Sequence, residues 1–163
     1  MTAPTSEPDA DADADELLRL ENQVCFALVR AARNIVAIYR PILEPLGLTH
    51  PQYLVMLALW EQSPRSLGEL AQELAMEPAT LSPLVKRLET QSLVTRSRRA
   101  ADERVLEIAL TQEGRELRQQ AFRVPVRVLE EVGVDMEDLE ELRQGLAPFA
   151  DRRGRDEGSA RAS

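Results

Sequence analysis

Two short helical patterns separated by a turn's worth of residues, then two alternating segments joined by a polar turn, give the middle of this chain the order helix, turn, helix, hairpin. That order predicts a mainly α fold: a winged helix-turn-helix with a small β wing, plus N- and C-terminal helices left over for dimerisation. Composition agrees, since leucine and alanine abound while aromatic residues make up only 4%, a balance that favours helices over sheet.

Residues 1–15, with their repeated DADADAD, carry too few apolar groups to fold and are expected to form a disordered acidic tail. Residues 151–163 read the same way. Between them, 16–150 is expected to be one domain, with 16–48 and 111–150 as dimerisation helices and 49–110 as the DNA-binding core and wing.

From Glu16 to about Tyr39, Leu17, Leu20, Val24, Leu28, Ala31, Ile35 and Ile38 recur at helical spacing. A second apolar row, Leu18, Cys25, Val29, Ala32 and Val36, runs beside the first. A stripe this broad exceeds what one short helix covers, which predicts a subunit interface. Pro41 and Pro45 in RPILEPLGL are expected to break this helix. THPQYLVMLALWE restarts one, with Thr49 as N-cap and Pro51 in the first turn. Tyr53 and Trp60 share that helix with Leu54, Val55 and Leu57 and read as core.

SLGELAQELAM (66–76) is a short amphipathic helix that Ser66 caps, with Glu69 three residues on. EPATLSPLVKRLETQSL (77–93) is the second helix, opened by Glu77 and Pro78 and carrying Pro83 inside. LVTRSRR alternates like a strand, AADE is the turn, and RVLEIALT alternates again. TQEGRELRQQAFRVPVRVLEEV follows as a long helix capped at Thr111 and disturbed at Pro125, and DMEDLEELRQGLAPFA is a last one capped at Asp135.

Net charge is −8, which taken whole argues against nucleic acid. The distribution reverses that inference. Residues 7–21 hold seven acids and one base, whereas 78–104 hold six bases and three acids. Counterion release depends on the contacting face, so double-stranded DNA is the expected partner. The second helix of the pair enters the major groove, where Thr80 and Ser82 can bond base edges or phosphates. Lys86 and Arg87, a turn later, clamp phosphate or read guanine, unless they are an ordinary solvated face. Arg104 at the wing tip suits a narrow minor groove, with Asp102 placed to hold its guanidinium. Arg96, Arg98 and Arg99 lie on or near the wing and are expected to meet phosphates.

The lone Cys25 excludes an internal disulfide and fits a reducing, cytoplasmic compartment. No stretch reads as a signal peptide or approaches the ~20 apolar residues of a membrane span. No metal-binding or glycine-rich motif appears, so no cofactor or metal is expected. An enzyme using Cys25 and His50 as nucleophile and base lacks a third orienting residue, and no enzymatic activity is expected. Taken alone, Cys25 reads as a small buried hydrophobe.

With these residues in view, the chain resembles the MarR family of bacterial winged-helix regulators over about residues 17–150. Asp102 to Gly114, DERVLEIALTQEG, matches that family's wing motif and supports the roles of Asp102 and Arg104. LENQVCFAL, YRPILEPLGLTHPQYLVMLALWE and TLSPLVKRLE are similar to the OhrR branch, which senses organic hydroperoxides through a cysteine in its first helix. The resemblance implies that Cys25 is redox-sensing. Tyr39 matches one of the tyrosines that branch places around its thiol, while Val29 and His50 stand where two others would be. His50 is then either a donor to the thiolate or a helix-entry residue with no special role.

Oxidation would yield a sulfenic acid, and with no second cysteine its partner must be an external low-molecular-weight thiol. Tyr39 lies fourteen residues beyond Cys25, roughly 21 Å along a straight helix. It therefore cannot reach its own chain's thiol but could meet the partner's in an antiparallel homodimer, as the resemblance suggests. Bulk at that interface would change the spacing of two reading helices matched to a pseudo-palindromic operator, and repression is the mode implied. The alternative is a MarR-like regulator of a small aromatic or anionic ligand, with Cys25 only structural.

Overall fold

The first long helix, α1 (Val24–Leu43), begins later than the apolar spacing predicts and ends later than its prolines predict. The protein is described here by a computed structural model covering residues 16–150, so the two tails expected at 1–15 and 151–163 lie outside the described residues. Ahead of α1, Leu20–Asn22 form one 3₁₀ turn and Gln23 is extended, at φ −81° and ψ 112°. The cause is local competition for backbone groups. The Asn22 amide donates to the Glu16 carbonyl at 2.7 Å and the Gln23 amide to the Leu17 carbonyl at 2.6 Å, folding the arm back.

At the other end, Pro41 sits inside α1, and helix continues because Ile42 and Leu43 are pulled into the core, 2% and 0% exposed. One missing N–H near a helix end costs less than leaving two large aliphatic side chains in water. A 3₁₀ turn (Glu44–Leu46) follows, and Gly47 ends the passage in the left-handed region at φ +68°.

Helix α2 (His50–Glu61) starts behind Thr49, whose N–H donates to Gln52 Oε1 at 2.9 Å. Strand β1 (Arg65–Ser66) leads into α3 (Leu67–Glu73), closed at its start by the expected capping box: Glu69 N–H donates to Ser66 Oγ and Ser66 N–H to Glu69 Oε2. The turn to α4 (Pro78–Thr90) passes through Ala75 at φ +50°, a left-handed residue that lets two helices meet at a tight corner.

Strands β2 (Val94–Arg99) and β3 (Asp102–Leu110) form the wing as an antiparallel pair, Val94 opposite Leu110 and Arg98 opposite Leu106, with a register shift between Arg98 and Arg99. The turn is thus Ala100–Ala101 rather than all of AADE, and Asp102 opens the strand. β1 adds a third strand, Arg65 opposite Ile108, giving the order β1-β3-β2. Its two residues are too few to carry a period, which is why the sequence did not announce it.

The core lies where these elements meet. Leu81, Val85 and Leu88 of α4 are fully buried against Val55, Met56 and Leu59 of α2, Leu70 of α3, Val94 of β2 and Ile108 of β3. Helices α5 (Gln112–Ala121) and α6 (Val124–Val132) divide just before Pro125, as expected, and α6 packs along α1. Helix α7 (Met136–Ala150) is capped by Asp135, whose Oδ1 accepts from the N–H groups of Glu137 and Asp138.

The large exposed apolar side chains fall in two places. Leu17, Leu18, Leu20, Val24, Val29 and Val36 line the N-terminal arm, and a second set runs from Phe122 to Phe149; Leu57 alone lies elsewhere. No helix among the described residues is long and apolar enough to cross a membrane.

Candidate functional site

Helix α4 is held by its back. With Leu81, Val85 and Leu88 locked in the core, helical geometry turns Thr80, Lys86 and Arg87 to solvent and leaves Ser82 half-buried on the flank. The four residues predicted to read DNA therefore share one accessible side of a rigidly seated helix.

At the wing, one predicted contact is replaced by another. Asp102 does not hold the Arg104 guanidinium; its Oδ1 accepts from the Arg104 backbone N–H at 3.0 Å. The spacing of two residues favours that short side-chain-to-backbone turn over a bond to the far end of an arginine. Arg98 Nη1 donates to the Arg104 carbonyl at 3.3 Å, so the backbone at position 104 is gripped from both sides. Among the described residues, no carboxylate lies within ion-pair distance of Lys86, Arg87, Arg98 or Arg104.

Arg96 and Arg99, expected to meet phosphates, are engaged by carboxylates in the structure. Arg96 Nη2 and Nε both lie 2.7 Å from Glu89 Oε2 on α4. Arg99 Nε lies 2.9 Å from Glu107 Oε2 on β3, and its Nη2 is 3.9 Å from Glu69 Oε2 on α3. Sequence reading missed these acidic partners, because seven to thirty residues and a change of element separate each pair. Glu69 is held below the usual carboxylate range by the hydrogen bonds from Ser66 first, then by the Arg99 and Arg65 charges.

The second cluster lies where α1 meets α2. The Tyr39 and His50 rings stand 4.7 Å apart, Tyr39 and Tyr53 5.9 Å, and Tyr53 and Trp60 6.3 Å, an aromatic row running along α2. Tyr53 is buried, as expected of core, and Trp60 is half-buried with its indole N–H on the Gly114 carbonyl at 2.8 Å. Burial raises the Tyr39 hydroxyl, pushes Tyr53 up to about 12 with the Tyr39 charge as a second cause, and lowers His50. Near neutral pH both phenols are therefore protonated donors and His50 is neutral.

Beneath this row, buried Gln52 donates to Gln91 Oε1 at 3.3 Å, and Gln91 Nε2 donates to the Gly47 carbonyl at 2.8 Å. An amide relay thus joins the α1–α2 corner to the C-terminal end of α4.

Cys25 lies apart from this cluster. It is exposed and is the second residue of α1, in the first turn. Tyr39 lies on the same continuous helix, so the structure brings Tyr39 to His50 but neither to Cys25 of the same chain.

Because His50 is the sole histidine and its folded-state value is lowered, the unfolded chain binds the proton first as pH falls. Stability is then full above the ordinary value near 6.5 and declines as pH drops from there through the lower folded value. In urea titrations at fixed protein concentration, the midpoint is expected to fall between pH 7 and 5, and to fall less in His50→Gln. Equal slopes in both proteins would show that His50 is not the group being titrated.

Residues 37–121 match the pattern of the transcriptional regulator SarA/Rot family. The chain is 38% identical over 129 residues to the organic hydroperoxide resistance transcriptional regulator of Bacillus subtilis, covering 79% of this chain and 88% of that one. It belongs to the SarA/Rot family of MarR-like winged-helix transcription regulators.

Solved structures bear this out. Reduced AbfR bound to DNA superposes at TM-score 0.68 with 35% identity, over 84% of this chain and 98% of that one. Overoxidised AbfR bound to DNA gives 0.65 and 35%, over 83% and 98%; AbfR comes from Staphylococcus epidermidis. This MarR-like protein is a DNA-binding transcription regulator, as its relatives are.

Proposed function

We propose that this regulator is a homodimeric repressor that holds its operator while Cys25 is reduced and releases it when an organic hydroperoxide oxidises that thiol. The observation that carries this is the exposed lone thiol in the first turn of α1, on a helix whose apolar face the single chain leaves uncovered. The name of the Bacillus subtilis relative supplies the oxidant class.

The chemistry balances with one cysteine. The thiolate attacks the hydroperoxide O–O bond, giving the sulfenic acid and, after protonation, an alcohol. A small cellular thiol then displaces water from the sulfenic acid, leaving a mixed disulfide. That AbfR has been captured on DNA in an overoxidised form agrees with release depending on the disulfide rather than on higher acids.

Two copies pairing through α1 and the C-terminal helices α5–α7 cover the apolar arms. An antiparallel arrangement brings the Tyr39 and His50 pair of one protomer to Cys25 of its partner. A phenolic hydroxyl and a neutral imidazole donor there stabilise the reduced anion, and the bulk of a mixed disulfide displaces them. The relay from Gln52 to Gln91 lies between this junction and α4. Thr80, Ser82, Lys86 and Arg87 read or clamp the major groove, while Arg104, placed by Asp102, enters the minor groove, with Arg98 beside it on the wing.

Fluorescence anisotropy with labelled DNA from the gene's own upstream region tests this. Release is expected with an organic hydroperoxide plus a small thiol, with a matching mass adduct on Cys25, and not with the thiol alone. Persistent binding under both additions would shift the regulator to the small-ligand alternative. In the same assay, Arg104→Ala is expected to weaken binding roughly tenfold at fixed salt. Unchanged affinity would remove the wing tip from the interface.

A further inference from the structure

The six bases between residues 78 and 104 are not one DNA-contacting set. The carboxylates around the wing divide them. Lys86, Arg87, Arg98 and Arg104 project without an acidic partner among the described residues, whereas Arg96 and Arg99 are each bound by glutamate. The paired arginines also sit differently. Arg96 is at the base of β2, opposite Ile108, and its guanidinium reaches Glu89 near the end of α4. Arg99 reaches back to Glu107 on β3 and across to Glu69, the residue that closes the α3 capping box. Every one of these ties except the link to Glu107 joins a wing strand to a helix of the helix-turn-helix.

We propose that Glu89–Arg96, and beside it Glu69–Arg99, are struts that hold the wing at a set angle to the reading helix, making Glu89 and Arg96 positioning residues for DNA binding rather than phosphate contacts. The need for struts follows from geometry. Helix and wing must enter neighbouring grooves together, and beyond its two-residue pairing with β1 the wing is a two-stranded hairpin, a weakly supported lever. Binding then draws on an orientation already set, so less ordering is lost on contact. The Arg96 side chain is 27% exposed and that of Glu89 36%. Such a pair contributes little to global stability, and its removal leaves the fold intact. The proposal rests only on this family's binding to DNA and holds whether or not Cys25 is the sensor.

The sign of one substitution separates the two roles. If Arg96 contacted phosphate, Glu89 would be a competing acid, and Glu89→Gln would tighten binding and steepen the salt dependence. If the pair is a strut, Glu89→Gln weakens binding although it removes a negative charge from a DNA-binding face. For the full-length dimer on upstream DNA, the expected result is a roughly fivefold loss, from about 0.5 kcal/mol at each of two wings. The slope of log affinity against log salt stays at the wild-type value, and the melting temperature is unchanged. Arg96→Gln is expected to match Glu89→Gln, and the double variant to be no weaker than either single. Unchanged or tighter binding by Glu89→Gln overturns the proposal, as does a slope reduced by about two in Arg96→Gln, the mark of one lost phosphate contact per protomer.

Discussion

Cys25→Ser is expected to keep its operator bound through a hydroperoxide and small-thiol treatment that releases the wild type. Serine matches cysteine closely in shape and can accept the same hydrogen bonds, so reduced-state affinity should stay within about twofold. What is lost is the nucleophile, because a hydroxyl neither attacks the O–O bond nor forms a disulfide. The chain has no second cysteine to take over. Wild type should lose at least ~10-fold in affinity on treatment, within the usual span of coupling between two sites, and recover it with dithiothreitol. A variant that releases as the wild type does would show that oxidation acts elsewhere, and Cys25 would revert to an apolar packing residue.

The second large effect is structural. Gly114→Ala drives a Cβ into the Leu93 carbonyl oxygen and places it 3.1 Å from the Leu93 carbonyl carbon and 3.2 Å from Leu110 Cδ2. Neither side of this contact is free to yield. Leu93 is held by its N–H on the Leu88 carbonyl and by the Thr111 N–H donating to its own carbonyl. Gly114 donates to Thr111 Oγ1 at 2.9 Å and accepts from Trp60 Nε1 at 2.8 Å. The glycine is therefore a point of close approach between α5 and the start of the wing. Overpacking against pinned backbone is expected to cost about 3 kcal/mol and lower the melting temperature by roughly 10 °C. A scanning-calorimetry shift under about 2 °C would mean that α5 slides away without penalty. Because α5 leads into the apolar C-terminal arm, weaker dimerisation at low protein concentration should accompany the loss.

Much of the exposed face of α4 was legible in the sequence because its signals are local. The α4 stripe of Leu81, Val85 and Leu88 predicts which residues turn outward, and Thr80, Lys86 and Arg87 follow from it. Caps at Ser66, Thr111 and Asp135 were readable because side chain and backbone partner lie within three residues of each other. The extent of α1 was less legible. Apolar period alone carried it back to Glu16, but two side-chain amides compete with helix there; Pro41 argued for an end that core burial of Ile42 and Leu43 overrides.

By itself, then, the sequence determined the order of the main elements apart from β1, several of their caps, the basic character of the α4–wing segment and the presence of one thiol on a long apolar helix. All of these depend on spacing within a few residues or on composition. Only the tertiary structure decided which arginines are held by glutamates, that Asp102 grips the Arg104 backbone instead of its guanidinium, and that Tyr39 packs against His50 with the two rings tilted. Charge composition cannot separate a paired arginine from an unpaired one. The separation depends on sheet register and on the seating of α3 and α4 against it, which are set by long-range burial of the shared core.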